Sequence, residues 1–289
     1  MKNVVTRFAP SPTGRLHLGH AYSALLAHDF ARDREGMFLL RIEDIDPARK
    51  RTEFVDGIIG DLLWLGLEPD GEIVYQSERL SLYADALERL KEQGLAYPCF
   101  CTRSDIAKEI AASAEAPHGP DGPIYPGTCR TLSADERARR LRDEAHAWRL
   151  DVAKASARAG PLYWEDDHTE VQAEPERFGD VVLARKDAPT SYHLAVAVDD
   201  AAQDVSDVVR GRDLFAATDV HRLLQALLGL PVPHYHHHPL LTDAEGRRLA
   251  KRNGAPTLAD LCAGGTDPEK LVADLRVGAL PAGYSVGGG

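Results

Sequence analysis

The chain has 289 residues, of which 44% are hydrophobic and 27% charged, enough apolar residues for a buried core and too many for an intrinsically disordered chain. Its 34 basic and 45 acidic residues give a formal net charge of −11, which excludes a protein that coats nucleic acid through bulk positive charge but leaves room for a local basic groove.

The N-terminal residues have no apolar signal core, and no stretch approaches the ~18 consecutive apolar residues of a membrane helix. A cytoplasmic protein that makes no membrane contact is expected. Val4 to Phe8 reads as a strand ending at Pro10, followed by the turn chemistry of Pro10-Ser11-Pro12-Thr13-Gly14. Leu18, Ala21, Ala24 and Leu25 fall at helical spacing, so a helix opens near His17 to His20. Met37 to Ile42 is a nearly continuous apolar run, as in a strand buried on both faces of a parallel sheet. Together these segments make a right-handed βαβ unit. Helical stripes follow at Phe54, Ile58, Leu62 and Leu65, and at Leu80, Tyr83, Leu87 and Leu90.

Near Gly94 the texture changes. Residues 113–128 carry four prolines and three glycines. A short helix is expected from Ser133, with Glu136 completing a capping box. Strand-like stretches lie at 148–152, 181–185 and 192–198, and Leu214 to Leu230 returns to helix before Pro231. Gly283 to Gly289 is a glycine-rich end expected to fray. The expected division is 1–93 and 181–262 as two halves of an α/β domain, 94–180 as an insertion, and 263–289 as a short tail.

Four constellations carry chemistry. In the first, a strand ends, the chain turns, and a helix begins at His17-Leu18-Gly19-His20. A helix N-terminus favours phosphate, Gly19 lets a nucleotide approach, and the two histidines can donate to phosphate oxygens. In the second, Arg7, Arg210 and Glu43 offer opposite charges to an amino acid with two carboxylates and an ammonium, and Tyr192 adds a directional hydrogen bond. In the third, Arg247, Arg248, Lys251 and Arg252 put four cations within six positions, as in a loop that closes over phosphates. In the fourth, Cys99, Cys101 and Cys129 supply three thiolates for a metal in a segment poor in core residues. Cys262 reads as a packed small residue. The histidines at 234 and 236–238 read as a strand leading to the basic loop, with no carboxylate beside them and one or two near the nucleotide.

These blocks resemble the class I aminoacyl-tRNA synthetases of the glutamyl and glutaminyl branch. The first block matches. So do Arg41-Ile42-Glu43-Asp44-Ile45-Asp46-Pro47, Ser191-Tyr192-His193-Leu194 and Val209-Arg210-Gly211-Arg212-Asp213-Leu214. The resemblance implies an α/β fold with a Rossmann-type parallel sheet and an inserted, zinc-containing α+β subdomain similar to an acceptor-binding one. It implies Arg7, Ala9, Ser11, Glu43, Tyr192 and Arg210 as glutamate contacts. ATP would be held by His17, Gly19, His20, Arg248, Leu249 and Lys251, with His17, His20 and Lys251 catalytic and Mg²⁺ assisting. The basic loop resembles the family's Lys-Met-Ser-Lys-Ser loop, with Arg248 in place of the first lysine and Ala250 in place of the first serine. Tyr125 would join Cys99, Cys101 and Cys129 as the fourth ligand of a structural Zn²⁺.

The chain runs about 30 residues beyond the basic loop, where full glutamyl enzymes carry an anticodon-binding region. It resembles a stand-alone catalytic-domain paralogue, a monomer that activates L-glutamate with ATP and passes it to the queuosine base in the anticodon of tRNA(Asp). The alternatives are a truncated enzyme that charges a tRNA 3′ end and a zinc-stabilised tRNA-binding paralogue without catalysis. The acidity confines tRNA contact to local basic surface, around Arg137, Arg139, Arg140 and Arg142.

Overall fold

The computed structural model describes residues 3–46, 51–112, 118–243, 245–247, 249, 256–280 and 284–287. The chain opens as a parallel βαβ unit. Strand β1 (Val5–Phe8) leads through a long turn into helix α1 (Leu18–Arg32), and β2 (Met37–Ile42) returns beside β1 with Val5 opposite Met37 and Phe8 opposite Leu40. Helix α2 (Thr52–Trp64) crosses to β3 (Val74–Tyr75), also parallel. The apolar stripes of α1 and α2 close over the buried face of β2, where Phe38, Leu40 and Ile42 are at most 1% exposed.

Helix α3 (Leu80–Glu92) carries the chain to β4 (Ala96–Cys99) and α4 (Arg103–Ala112). A two-residue pairing of β5 (His118–Gly119) with β6 (Gly122–Pro123) is what the described part of the Pro/Gly-rich segment forms. Helix α5 (Ala134–Asp143) starts at Ser133, whose Oγ accepts from the Glu136 N–H, but the Glu136 carboxylate pairs with Arg139, so only half of the expected capping box forms. Strand β7 (Ala147–Leu150) pairs antiparallel with β4. The expected strand over 148–152 stops at Leu150, because the Asp151 side chain accepts from the Lys154 N–H and caps α6 (Val152–Ala159). An antiparallel hairpin follows, β8 (Tyr163–Asp166) and β9 (Thr169–Gln172). Strand β10 (Val182–Ala184) lies antiparallel to β7, so one small sheet runs β4-β7-β10.

The stretch 192–198, expected as a strand, is the start of helix α7 (Tyr192–Ala202). Ser191 caps it, and residues 194–200 are all buried. A short apolar run enclosed on every side has no polar face to display its period, so strand and helix look alike in sequence. Strand β11 (Asp207–Gly211) lies beside β1, joined where the Ser206 N–H donates to Val5 O (3.0 Å). Helix α8 (Ala217–Leu228) connects it to the parallel strand β12 (His234–His238). The β8–β9 hairpin attaches to the far edge of β12 through Tyr235 and Asp166, so this part of the middle region extends the principal sheet. The chain closes with β13 (Leu241–Asp243), α9 (Leu258–Ala263), α10 (Pro268–Arg276) and β14 (Tyr284–Val286), whose apolar residues pack back on α1 and α2. Cys262 on α9 is exposed, not packed as expected. Among the described residues no helix is long and apolar enough to cross a membrane.

Candidate active site

The C-terminal ends of β1, β2 and β11 and the N-termini of α1 and α7 converge on a cavity of about 460 Å³. In open parallel sheets this end of the strands is where ligands sit. Its walls include Arg7, Ala9, Ser11, Glu43, Tyr192 and Arg210, drawn from four separated segments. His17, Gly19, His20 and Leu249 line the same cavity. Arg248 and Lys251 lie outside the described residues.

The helix start is more specific than the sequence discloses. His17 is the N-cap of α1: its Nδ1 accepts from the Gly19 N–H (3.1 Å), while His20 Nδ1 accepts from the His17 N–H (3.2 Å). An imidazole that accepts at Nδ1 carries its proton on Nε2 in the neutral form. Both rings, 3.9 Å apart at their centroids, are therefore set as Nε2–H donors at a helix N-terminus without acidic residues in its first turn. That is a cradle for an anion with phosphate chemistry.

The charged wall is buried. Arg7 gives Nε and Nη2 to the two oxygens of Asp200 at 3.0 and 3.4 Å. Asp200 also faces Arg41, whose Nη2 lies 2.8 Å from Oδ1. Burial alone would raise the Asp200 carboxyl, but Arg7 and Arg41 hold it below the ordinary carboxylate range. Its neighbour Asp199 is fully buried and accepts from Gln76 Nε2 (2.9 Å), Arg79 Nε (2.7 Å) and Tyr83 Oη (2.8 Å). Glu43, 3.8 Å from Arg41, is pushed by burial up to about 7, against the pull of Arg41 and Arg7. Burial likewise raises the Tyr192 phenol to about 12, so it meets a ligand as a neutral hydroxyl.

Arg210 is held differently. It donates to His237 Nε2 (3.1 Å), Thr218 Oγ1 (2.7 Å) and Leu214 O (3.1 Å), and its Nη1 lies 3.5 Å from His221 Nδ1. The histidine strand thus has carboxylates beside it, contrary to expectation. Asp166 from β8 meets His237, and Asp167 and Asp207 meet His236 at 2.7 and 2.9 Å. Neighbours contributed by a distant hairpin cannot be read from local spacing. His238 lines the cavity, with Nε2 3.1 Å from Ser23 Oγ. Asp200, Asp166 and His221 escaped the sequence reading, which named Arg41 only inside a matching block and His237 only as a member of the histidine strand. Its one available signal was the Asp199-Asp200 pair inside an apolar run.

The second cluster lies next to a larger cavity of about 890 Å³ that shares Ser11, Thr13, Glu43 and Tyr192 with the first. The sulfurs of Cys99, Cys101 and Cys129 lie within 4.8 Å of one another, Cys101 and Cys129 at 3.5 Å. Tyr125 Oη lies 3.4 Å from Cys99 Sγ and 3.6 Å from Cys101 Sγ, and accepts from the Cys129 N–H. Three soft thiol donors and a phenol oxygen around one point fit a four-coordinate metal, and the cluster could hold one. On α5, Arg139 and Arg140 are paired with Glu136 and Glu144, each at 2.7 Å, and the Arg137 side chain donates to Arg130 O. That helix is less basic than its arginines suggest.

Comparison with known proteins identifies the relatives of this arrangement. Residues 3–282 match the family described as tRNA synthetases class I (E and Q), catalytic domain. A glutamyl-Q tRNA(Asp) synthetase of Rhodobacter capsulatus is 50% identical over 94% of this chain and 98% of its own length. One of Symbiobacterium thermophilum is 46% identical over 93% and 84%. A solved glutamate tRNA ligase from Elizabethkingia meningosepticum, in complex with its amino acid, superposes with a TM-score of 0.74 at 28% identity; the likeness spans 88% of this chain and about half (53%) of that one. The chain belongs to the class I tRNA synthetases of the glutamyl and glutaminyl branch.

Proposed function

We propose that this protein activates L-glutamate with ATP and transfers the glutamyl group to the queuosine base in the anticodon of tRNA(Asp). The observation that carries the first half is the single cavity in which Arg7, Glu43, Tyr192 and Arg210 face the His17–His20 helix start. The names of the relatives, similar over nearly their full length, support the acceptor.

In the first step the α-carboxylate of glutamate attacks the α-phosphorus of ATP and pyrophosphate leaves. No protein nucleophile is required, so the chain's part is positioning and charge neutralisation. Arg7 and Arg210 bind the two carboxylates and Glu43 binds the ammonium. Ala9 and Ser11 border the amino acid, and Tyr192 donates its hydroxyl. His17 and His20 direct Nε2–H at phosphate oxygens that gain charge, next to Gly19. Arg248, Leu249 and Lys251 cover the nucleotide, and a bound Mg²⁺ would supply further neutralisation of phosphate charge. In the second step a queuosine hydroxyl attacks the mixed anhydride and AMP leaves.

Cys99, Cys101, Tyr125 and Cys129 would hold a structural Zn²⁺. The ion would clamp a segment with few core residues. The middle region, 94–180, is proposed as an inserted subdomain between the two catalytic halves, one whose β8–β9 hairpin joins the principal sheet and whose small sheet takes its third strand, β10, from beyond residue 180.

The test is ATP–pyrophosphate exchange with glutamate, followed by transfer of labelled glutamate to tRNA(Asp) with and without queuosine. Exchange above background and alkali-labile label confined to queuosine-containing tRNA are expected. Absence of exchange would leave a binding paralogue. Equal label on both tRNAs would overturn the queuosine acceptor, and label on a 3′ end would favour ordinary charging.

A further inference from the structure

The two arginines of the pocket differ in what holds them. Arg7 is ion-paired with Asp200. Arg210 is 5% exposed, and its hydrogen bonds go to neutral acceptors: an imidazole, a hydroxyl and a carbonyl. Among the described residues no carboxylate pairs with it. A buried cation without a counter-ion is costly, and the cost is recovered when an anion arrives. Arg210 is thus the pocket arginine whose charge no carboxylate of the described residues neutralises before a ligand binds.

Its orientation depends on one tautomer. Arg210 Nε–H needs a lone pair at His237 Nε2, which requires the ring proton on Nδ1. Asp166 Oδ1 lies 2.8 Å from that Nδ1 and 3.1 Å from the His237 N–H, so it accepts both and fixes the tautomer. The ring cannot turn away easily. It is completely buried, stacked on Tyr235 at an interplanar angle of 3°, and flanked edge-on by Trp164 and Phe215. Burial and the nearby Arg210 hold its pKa down to about 2, so it does not become a cation facing a cation. Asp166 comes from the β8–β9 hairpin, which touches β12 at this point and so brings the middle region into the pocket's support.

We propose that Asp166 and His237 are positioning residues that aim Arg210 and thereby set the preference for an amino acid with a side-chain carboxylate over its amide. The proposal rests on the reading of this cavity as a glutamate site. With the Asp166 carboxylate removed, the ring is free to adopt the Nε2–H tautomer, which turns a donor toward the Arg210 donor. With His237 replaced by phenylalanine, the volume is filled and the acceptor is lost.

The test is ATP–pyrophosphate exchange with glutamate and with glutamine on the full chain and on Asp166→Ala, Asp166→Asn and His237→Phe. Asp166→Ala and His237→Phe are expected to raise the KM for glutamate about tenfold to a hundredfold, the scale of a hydrogen bond to a charged group. The ratio of kcat/KM for glutamate over glutamine falls with it, while the KM for ATP and the melting temperature stay within twofold and a few degrees. Asp166→Asn, whose side-chain oxygen still accepts from Nδ1–H, keeps most of the preference. An unchanged ratio in both disruptive variants, or kcat and both KM values failing together, overturns the positioning role while glutamate activation stands. If the unaltered chain does not activate glutamate, the reading of the cavity falls and this proposal with it. Should His237→Phe not fold, the contrast between Asp166→Ala and Asp166→Asn decides.

Discussion

Arg7 and Asp200 form a buried ion pair with Nε 3.0 Å from Oδ1, each side chain 6% exposed. They are 193 residues apart in sequence, one on β1 and the other on α7. The same carboxylate faces Arg41, which is completely buried, so one anion organises two guanidiniums behind the cavity.

Asp200→Ala leaves both guanidiniums buried without that partner. Losing one member of a buried ion pair typically costs about 3–5 kcal/mol. We expect a loss of that size in denaturant unfolding, with Asp200→Asn milder because it still accepts hydrogen bonds. A loss below about 1 kcal/mol for Asp200→Ala would show that water or rearrangement satisfies the arginines.

Glu43 must be ionised to hold an ammonium, and burial lifts its pKa from 4.5 to about 7. The kcat/KM for glutamate, which reports the free enzyme, is therefore expected to fall as pH drops below about 7 and to level off above it. Stability runs the other way. The folded chain keeps the Glu43 proton up to about pH 7 while the unfolded chain releases it near 4.5, so this group lowers stability as pH rises across that interval. Glu43→Gln should weaken glutamate binding, remove the acidic limb and flatten this part of the stability profile. A limb that persists in the variant assigns it to another group.

Metal content tests the cysteine cluster. Purified protein is expected to carry close to one zinc per chain by elemental analysis. Cys101→Ala should lose it and open the 94–150 segment to proteolysis. Full retention of zinc in that variant would remove Cys101 from the ligand set.

His20→Ala removes one of the two Nε2–H donors and the acceptor for the His17 N–H. Loss of one donor to a charge-bearing oxygen typically costs about 10²–10³ in kcat. We expect a fall of that order in pyrophosphate exchange, with a smaller change in the KM for ATP. Lys251→Ala should slow the same step without altering the fold. An unchanged exchange rate in either variant would remove that residue from the activation step.

The sequence determined the βαβ opening and the helix start at His17, because each depends on local chemistry, while the candidate pocket residues came from the resemblance of their blocks to a family. Turn residues and helical spacing act within a few positions. The cysteine cluster was legible for the same reason: thiols two residues apart, and a third about 30 away, have few other uses in a segment so poor in core residues. The helix over 192–202 was not legible, since its middle, 194–200, is buried all round and carries no amphipathic period. The wiring behind the pocket was hidden more deeply. Asp200 reaches Arg7, and Asp166 reaches His237, only because the parallel sheet sets β1 beside β11 and the β8–β9 hairpin against β12. A sequence lists which groups can pair. Burial, by making an unpaired charge costly, decides which of them must pair, and only the tertiary structure fixes which groups are buried together.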